Sequence, residues 1–163
     1  MNDRFYQALC CAIKAYDGQY DNNGAHYYDR SDALYYGKNG VPYILHPLHV
    51  STLVETEEDK IVALFHDIVE CTEYTLDDIE AWGFGDLKDA VDCITQRKNI
   101  ESYAEYIERV CSNPISLKVK IAYMRHYSDL SQLNTITEKD KKMHEKYCQW
   151  LPILESRLAL HNL

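Results

Sequence analysis

The stretch Ile61-Val62-Ala63-Leu64-Phe65-His66-Asp67-Ile68-Val69-Glu70 sets a histidine and an aspartate side by side in an apolar run that is predicted to be helical. Burying both polar groups is costly unless something binds them. A divalent metal ion is a common partner, since neutral imidazole and carboxylate are both good ligands. A second histidine, His46, begins the preceding apolar segment. His46, His66 and Asp67 are therefore predicted to form a metal site, the alternative being that the pair caps or pairs locally.

Apolar residues recur at helical spacing through most of the chain. Thr56 and Thr75 each precede acidic residues and are predicted N-caps. Helices are predicted at residues 3–16, 47–54, from 56 through the His-Asp pair, 75–83, 86–96, 102–111, from 114 onward and 137–160. No convincing strand is present. The chain is therefore predicted to be all-α, a single-domain helical bundle of about seven or eight helices.

Residues 17–40 form a polar stretch that is rich in glycine, asparagine and tyrosine and has no clear period. So long a stretch without regular structure is unusual in a compact domain. A short helix is predicted near residues 32–36. Two interpretations stay open: the segment is a lid over an active site, or it is a surface excursion whose tyrosines pack on the body. Residues 1–163 are predicted to be one domain with this loop-rich insertion.

The acidic balance of the chain limits its partners. The formal net charge is −9 and the pI is about 5.2, which argues against nucleic-acid binding, because that needs a basic face. A few local lysines or arginines still suffice for a small anionic ligand. No apolar run is long enough to span a membrane, and the first residues do not resemble a signal peptide. The six cysteines lack CxxC spacing and predict reduced thiols in a cytoplasmic protein.

Short motifs occur in a fixed order along the chain. They are Gly18-Gln19, Gly40-Val41-Pro42-Tyr43-Ile44-Leu45-His46-Pro47-Leu48, Ala63 to Glu70, Thr72 and Thr75, Gly83-Phe84-Gly85, and Lys120-Ile121-Ala122. This ordered set resembles the HD superfamily, specifically its (p)ppGpp-hydrolase branch: the hydrolase domain of RelA/SpoT-type proteins and the stand-alone small alarmone hydrolases. The likeness covers nearly the whole chain. It implies an HD-type helical bundle and a metal-dependent phosphohydrolase that acts on a nucleotide, with (p)ppGpp as the substrate.

The resemblance also implies a single divalent ion, most commonly manganese, with four protein ligands. Three ligands map onto His46, His66 and Asp67, and the fourth, an aspartate in the family, maps onto Tyr123. A phenol has a pKa of about 10 and stays protonated at neutral pH, so it is a poor ligand for such an ion. We therefore expect a weakened site. In a metal-free site Tyr123 would donate its O–H to Asp67, and a further alternative makes Glu70 the replacement ligand.

Two more family positions differ. A Glu-Asp pair that positions the attacking water in the family is Glu70-Cys71 here, which leaves Glu70 as the candidate general base or water-orienting group. Cys71 cannot orient water as a carboxylate does, because a thiol is a weak hydrogen-bonding group. A family asparagine that helps to hold the substrate is Tyr127 here. Together, Cys71, Tyr123 and Tyr127 favour catalysis that is impaired or redirected.

Four side chains are candidates for binding the substrate: Lys38, Lys120, Arg125 and His126. Charge-assisted hydrogen bonds suit phosphate oxygens. The alternative for Lys120 and Arg125 is a solvated surface position, and the alternative for His126 is a packed core histidine.

Two functions of different classes follow. The first is a metal-dependent enzyme that removes phosphate or pyrophosphate from a small-molecule nucleotide. The second is a catalytically inactive module on the same fold, which senses a nucleotide or serves a protein partner. Turnover with manganese, above the level of a His66→Ala variant, distinguishes the first from the second.

Overall fold

The computed structural model describes residues 3–17, 42–132 and 136–161. Lys38, the helix predicted near residues 32–36 and nearly all of the predicted insertion therefore lie outside the described residues. The helices that are described are α1 Asp3–Ala15, α2 Leu45–Thr52, α3 Glu57–Phe65, α4 Ile68–Cys71, α5 Leu76–Ile79, α6 Lys88–Ile94, α7 Tyr103–Cys111, α8 Pro114–Ser128 and α9 Glu138–His161. A π-helical turn, Glu80–Phe84, and a 3₁₀ turn, Gly85–Leu87, follow α5, and another 3₁₀ turn, Leu130–Gln132, follows α8.

The predicted all-α class is confirmed, with no strand among the residues described. Single-turn helices account for α4 and α5, and the other seven helices described have seven or more residues each. Two predicted caps are present: the Thr56 side chain accepts from the backbone N–H of Asp59, and Thr75 forms a capping box with Asp78. Each such cap stabilises its helix by about 1 kcal/mol. None of the helices described is both long and apolar enough to cross a bilayer.

The predicted helix through the His-Asp pair is interrupted at that pair. Helix α3 ends at Phe65, residues 66 and 67 form a turn, and α4 begins at Ile68. Asp67 has φ −107° and ψ 0°, which departs from regular helical values. Glu70 was an alternative ligand because it follows His66 by four residues in what the sequence predicted to be one helix. The break shows that the two residues do not share one face of a regular helix.

The other helices differ less from prediction. Helix α2 begins at Leu45, two residues before the predicted start, and α9 continues through Pro152 to His161. The predicted helix 75–83 is instead the short α5 followed by the π-helical turn. Gly83 has φ +94°, a conformation that glycine adopts without steric cost and that ends the helical path where the sequence predicted an end.

Helix α3 is the central element of the bundle. Residues 61–65 are completely buried, and α3 packs against α1, α2 and α8 while α9 covers α8. Helix α2 carries His46, the end of α3 leads into His66 and Asp67, and α8 carries Tyr123. Packing of these three helices therefore brings together residues that are far apart in sequence.

Candidate metal centre

Three ligand-type atoms converge at the junction of α2 and α3. His46 Nε2 lies 3.2 Å from His66 Nε2, and these two nitrogens lie 3.3 and 3.2 Å from Asp67 Oδ2. Both histidines are buried and Asp67 is partly buried. Ligand atoms that share one ion through bonds of about 2.0–2.2 Å lie roughly this far from one another. Two imidazoles and a carboxylate are also a suitable donor set for a divalent ion, so the residues fit the metal that the resemblance implies.

The outer nitrogens of both histidines are held by hydrogen bonds. His66 Nδ1–H donates to the carbonyl oxygen of Ala63 at 2.7 Å, so the neutral form of His66 directs the lone pair of Nε2 at the centre. His46 Nδ1 lies 2.8 Å from the hydroxyl of Tyr127. Partners of this kind fix the orientation of ligating histidines in metal sites. Tyr127, predicted to replace a substrate-binding asparagine, therefore contacts a candidate metal ligand.

The charges of the three groups are coupled. Burial lowers the pKa of His46 to about 4, so this imidazole is neutral at physiological pH. Burial also disfavours the charged forms of His66 and Asp67, but their mutual attraction outweighs it, raising the pKa of His66 and holding that of Asp67 well below its usual range. The attraction between the two groups thus favours the protonated form of His66 and the ionised form of Asp67, beside a neutral His46. His66 would have to be neutral at Nε2 to hold a metal ion, so metal binding and protonation of His66 would compete.

Tyr43 is a member of the site that sequence reasoning did not single out. Its hydroxyl donates to Asp67 Oδ2 at 2.7 Å and lies 3.7 Å from Cys71 Sγ. Tyr43 occupies the turn just before α2, and no spacing rule in the sequence connects it with a residue at the end of α3. The metal-free alternative assigned the donor role toward Asp67 to Tyr123, whereas the structure shows this bond for Tyr43.

Tyr123 lies beside the histidines. Its ring centroid is 5.7 Å from that of His46 and 6.0 Å from that of His66, and its hydroxyl accepts from Tyr147 at 3.4 Å. The position that maps onto the family's fourth ligand is therefore adjacent to the candidate metal centre. An aromatic ring stands where the resemblance implies a carboxylate.

The centre opens into a cavity of about 190 Å³, called here the metal-side cavity. Its walls carry five tyrosines, three lysines and two acids, of which Asp67 belongs to the centre and Glu70 follows it in sequence. They are Tyr43, Tyr103, Tyr106, Tyr123, Tyr147, Lys98, Lys120, Lys146, Asp67 and Glu70, with His66, Cys71, Ile94 and Gln96. Three ammonium groups next to a candidate ion make this a suitable place for an anion such as phosphate.

Two of the three ammonium groups of the metal-side cavity, those of Lys120 and Lys146, are partly desolvated. Burial lowers the pKa of Lys120 to about 8, and Nζ of Lys120 lies 4.9 Å from the ring centroid of Tyr123. Nζ of Lys146 lies 3.5 Å from the ring centroid of Tyr103, and burial lowers its pKa as well. Lys98 and Lys146 were not among the predicted substrate residues, because they come from a loop and from α9, which only the fold brings to α8.

Glu70 lies on the wall of the metal-side cavity but is held away from the centre. Its Oε1 accepts from the backbone N–H of Gln96 at 2.7 Å, and its Oε2 lies 3.4 Å from Nζ of Lys98. Among the residues described, only His46, His66 and Asp67 converge as ligands. These contacts do not support Glu70 as the replacement ligand, and its role toward water stays a prediction.

Two predicted substrate residues lie elsewhere. Arg125 pairs with Glu155 at 2.7 Å, and His126 Nε2 lies 2.9 Å from His49 Nε2. Both line a different cavity, which does not include any of the candidate ligands. Of the four predicted substrate residues, the structure therefore places Lys120 beside the centre and Arg125 and His126 away from it, while Lys38 lies outside the described residues.

Comparisons with known proteins agree with this fold. No family model matches the chain. Two curated relatives named GTP pyrophosphokinase, from Streptomyces coelicolor and Streptomyces antibioticus, are each 30% identical over 139 residues. The match covers 77% of this chain, which spans only 16% of either relative. A solved structure, described as a metazoan ortholog of SpoT that hydrolyzes ppGpp, has a TM-score of 0.68 and 19% identity, over 98% of this chain and 93% of that chain.

The chain is thus an HD-type helical bundle. It has the fold of a SpoT-type ppGpp hydrolase, and the resemblance to the (p)ppGpp-hydrolase branch that the sequence predicted is confirmed at the level of fold.

Proposed function

We propose that this protein is a metal-dependent nucleotide phosphohydrolase of the (p)ppGpp-hydrolase type, in which hydrolysis is slow or redirected. One observation carries the proposal: the His46, His66 and Asp67 triangle opens into a cavity whose wall bears three lysines. An ion-binding donor set beside an anion-binding wall suits chemistry on a phosphoryl group. The ppGpp hydrolysis described for the structural neighbour and the names of the two Streptomyces relatives support a guanosine nucleotide with a pyrophosphate group as the ligand.

His46, His66 and Asp67 would hold the ion, and the resemblance implies manganese. Such an ion, when bound, polarises a phosphoryl oxygen and lowers the pKa of water. Tyr43 and Tyr127 serve the site by fixing the orientation of Asp67 and His46 through their hydroxyl groups.

The three lysines bind and neutralise the phosphates. Lys120 and Lys146 lie on α8 and α9, and Lys98 lies on the loop after α6, so they approach the cavity from different sides. A volume of about 190 Å³ is below the range of about 300–1,000 Å³ that holds a drug-sized ligand. The cavity therefore takes the phosphate or pyrophosphate group, and the nucleoside extends out of it.

Slow hydrolysis follows from the groups that face the cavity. Burial, reinforced by Asp67, raises the pKa of Cys71 to about 11, so its thiol is neutral and cannot act as a base. Asp67 is engaged by both histidines and Tyr43. Glu70 is then the acid available to orient a water molecule, although its oxygens already contact Gln96 and Lys98.

A second candidate function is nucleotide binding without turnover, which would make the chain a sensor or a module for a protein partner. Two observations favour it: the phenol of Tyr123 at the position of the fourth ligand, and the neutral thiol of Cys71 beside the centre. Tyr123 and Cys71 stand at positions where the family has carboxylates that hydrolysis uses, whereas the three lysines that would bind an anion are retained.

Binding and turnover of ppGpp, measured together, test both candidates. We expect ppGpp to bind more tightly with manganese than in EDTA, with slow turnover that exceeds that of His66→Ala. Glu70→Gln should abolish turnover and leave the dissociation constant within about threefold, whereas the exposed control Glu73→Gln should change neither. Binding without turnover selects the second candidate. Absence of binding with and without manganese rejects both.

We place this function in the cytoplasm. All six cysteines are free thiols, which suits a reducing compartment. Fractionation of cells that express the tagged chain tests this placement, and recovery of the chain outside the cytoplasm would contradict it.

A further inference from the structure

The loop that joins α6 to α7, residues 95–102, supplies both of the groups that hold the Glu70 carboxylate. The backbone N–H of Gln96 donates to Glu70 Oε1 at 2.7 Å, and Nζ of Lys98 lies 3.4 Å from Glu70 Oε2. Gln96 and Lys98 also line the metal-side cavity. The position of the 95–102 loop therefore decides where the carboxylate of Glu70 stands relative to the candidate metal centre.

A single guanidinium group fastens both ends of this loop. At its start, Arg109 donates to the carbonyl oxygen of Asp92, in the last turn of α6, and to that of Thr95 at 2.7 Å. At its end, both Nε and Nη2 of Arg109 donate to the carboxylate of Glu101, with Nε 3.2 Å from Oε2. The side chains of Arg109 and Glu101 are only 17% and 11% exposed. A cation suits the end of α6, because the last carbonyl groups of a helix lack partners within it.

The Arg109–Glu101 pair also holds the interior of the loop. Glu101 Oε1 accepts from the backbone N–H of Arg97 at 2.7 Å, one residue after Gln96. The guanidinium of Arg109 holds the pKa of the Glu101 carboxyl below its usual range, so this acceptor is ionised at physiological pH. A guanidinium has five N–H donors in one plane, whereas an ammonium donates from a single point. Arginine is therefore suited to join the two ends of the loop in a way that lysine is not.

We propose that Arg109 is a positioning residue for hydrolysis, which acts through the 95–102 loop to hold the Glu70 carboxylate where it orients water. This inference rests on the proposed function, in which Glu70 has that role. Arg109 does not line the metal-side cavity, so its effect passes through the loop. Two of the three lysines of that cavity, Lys120 and Lys146, lie on α8 and α9 and do not depend on the loop. Turnover should therefore depend on Arg109 more than phosphate binding does.

Arg109→Met removes the donors and keeps an unbranched side chain. It should lower the turnover of ppGpp about tenfold or more, because a small displacement of a catalytic group is costly, and leave the dissociation constant within about threefold. The matched control Arg157→Met removes another arginine–glutamate pair of α7, with Glu108, and should change neither quantity. Turnover equal to that of the parent, or a loss of affinity as large as the loss of turnover, would overturn the proposal.

A ¹H–¹⁵N NMR measurement tests the same contacts without activity, so it decides this inference even if the parent does not hydrolyse ppGpp. Glu70→Gln weakens the acceptor of the Gln96 N–H, and should shift this amide proton upfield in the parent and in Arg157→Met. In Arg109→Met the same change should leave the Gln96 signal in place, because the bond to Glu70 is already lost. An equal response in folded Arg109→Met, as expected if Arg109 only stabilises the fold, or no response in the parent, would contradict the proposal.

Arg109→Lys covers the case in which Arg109→Met does not fold. It keeps the positive charge but cannot join both ends of the loop, so the response of the Gln96 amide to Glu70→Gln should be smaller than in the parent. Circular dichroism confirms that the variants compared are folded. A response in Arg109→Lys as large as that of the parent, with Arg109→Met unfolded, would overturn the proposal.

Discussion

The hydroxyl of Tyr43 donates a 2.7 Å hydrogen bond to Oδ2 of Asp67, the same oxygen that both His46 and His66 approach. One carboxylate oxygen thus joins the turn before α2 to the end of α3. Because the bond orients Asp67, it supports the convergence of all three candidate ligands.

Tyr43→Phe should weaken metal binding by about 10–100-fold, because it removes a hydrogen bond that orients a ligand while leaving the ligands themselves. Isothermal titration of the metal-free protein with manganese measures the change. Tyr74→Phe, a tyrosine that packs on Trp82 rather than at the centre, is the matched control and should bind as the parent does. Equal affinities for Tyr43→Phe and the parent would mean that this bond does not support the site.

Tyr123→Asp should raise manganese affinity at least about tenfold, since it places a carboxylate where an aromatic ring now lies beside His46 and His66. The Tyr123→Asn variant introduces a side chain of nearly the same size as aspartate but without its charge. Comparing the two variants separates the effect of a new carboxylate ligand from the effect of losing the ring. Should calorimetry give the two variants the same affinity, the correspondence of position 123 with a fourth ligand would be wrong.

The lowered pKa of Lys120 predicts how the affinity for ppGpp depends on pH. Its pKa is lowered from 10.5 to about 8, so the ammonium is present below pH 8 and is lost as the pH rises above it. The phosphates of ppGpp are already ionised at pH 7.5, since their last pKa is about 6. Affinity in EDTA should therefore fall several-fold between pH 7.5 and 9.

The Lys120→Met variant identifies the group responsible. It should bind ppGpp about tenfold more weakly at pH 7.5, as expected for the loss of one charge-assisted hydrogen bond, and should lose most of the pH dependence. Lys139→Met, an exposed position on α9 outside both cavities, should behave like the parent. A profile that stays as steep in Lys120→Met as in the parent would assign the titration to another group.

The sequence predicted the helices well because apolar residues at helical spacing follow directly from burial of one face. Thr56 and Thr75 marked helix starts for an equally local reason, since a cap is made within one turn. The break at residues 66–67 was not visible, because apolar residues continue on both sides of it and all of 61–65 are buried.

The composition of the site was harder to predict, because it depends on contacts between distant segments. The His-Asp pair and His46 stood out as costly polar groups in apolar runs, whereas Tyr43 and Lys146 have no such signal. Helical geometry alone could have separated Arg125 from Lys120, since five residues place them about 140° apart around α8. That rotation puts Arg125 beside the cavity that includes none of the candidate ligands instead of the metal-side cavity.

The metal content of protein purified without chelator tests the central claim most directly. Mass spectrometry of the parent and His66→Ala, after growth with manganese, should find about one divalent ion per chain in the parent and little in the variant. Circular dichroism confirms that the two are equally folded. Two equally folded proteins with the same metal content, or a parent that stays empty even when titrated with manganese, would contradict the claim that His46, His66 and Asp67 form a metal centre.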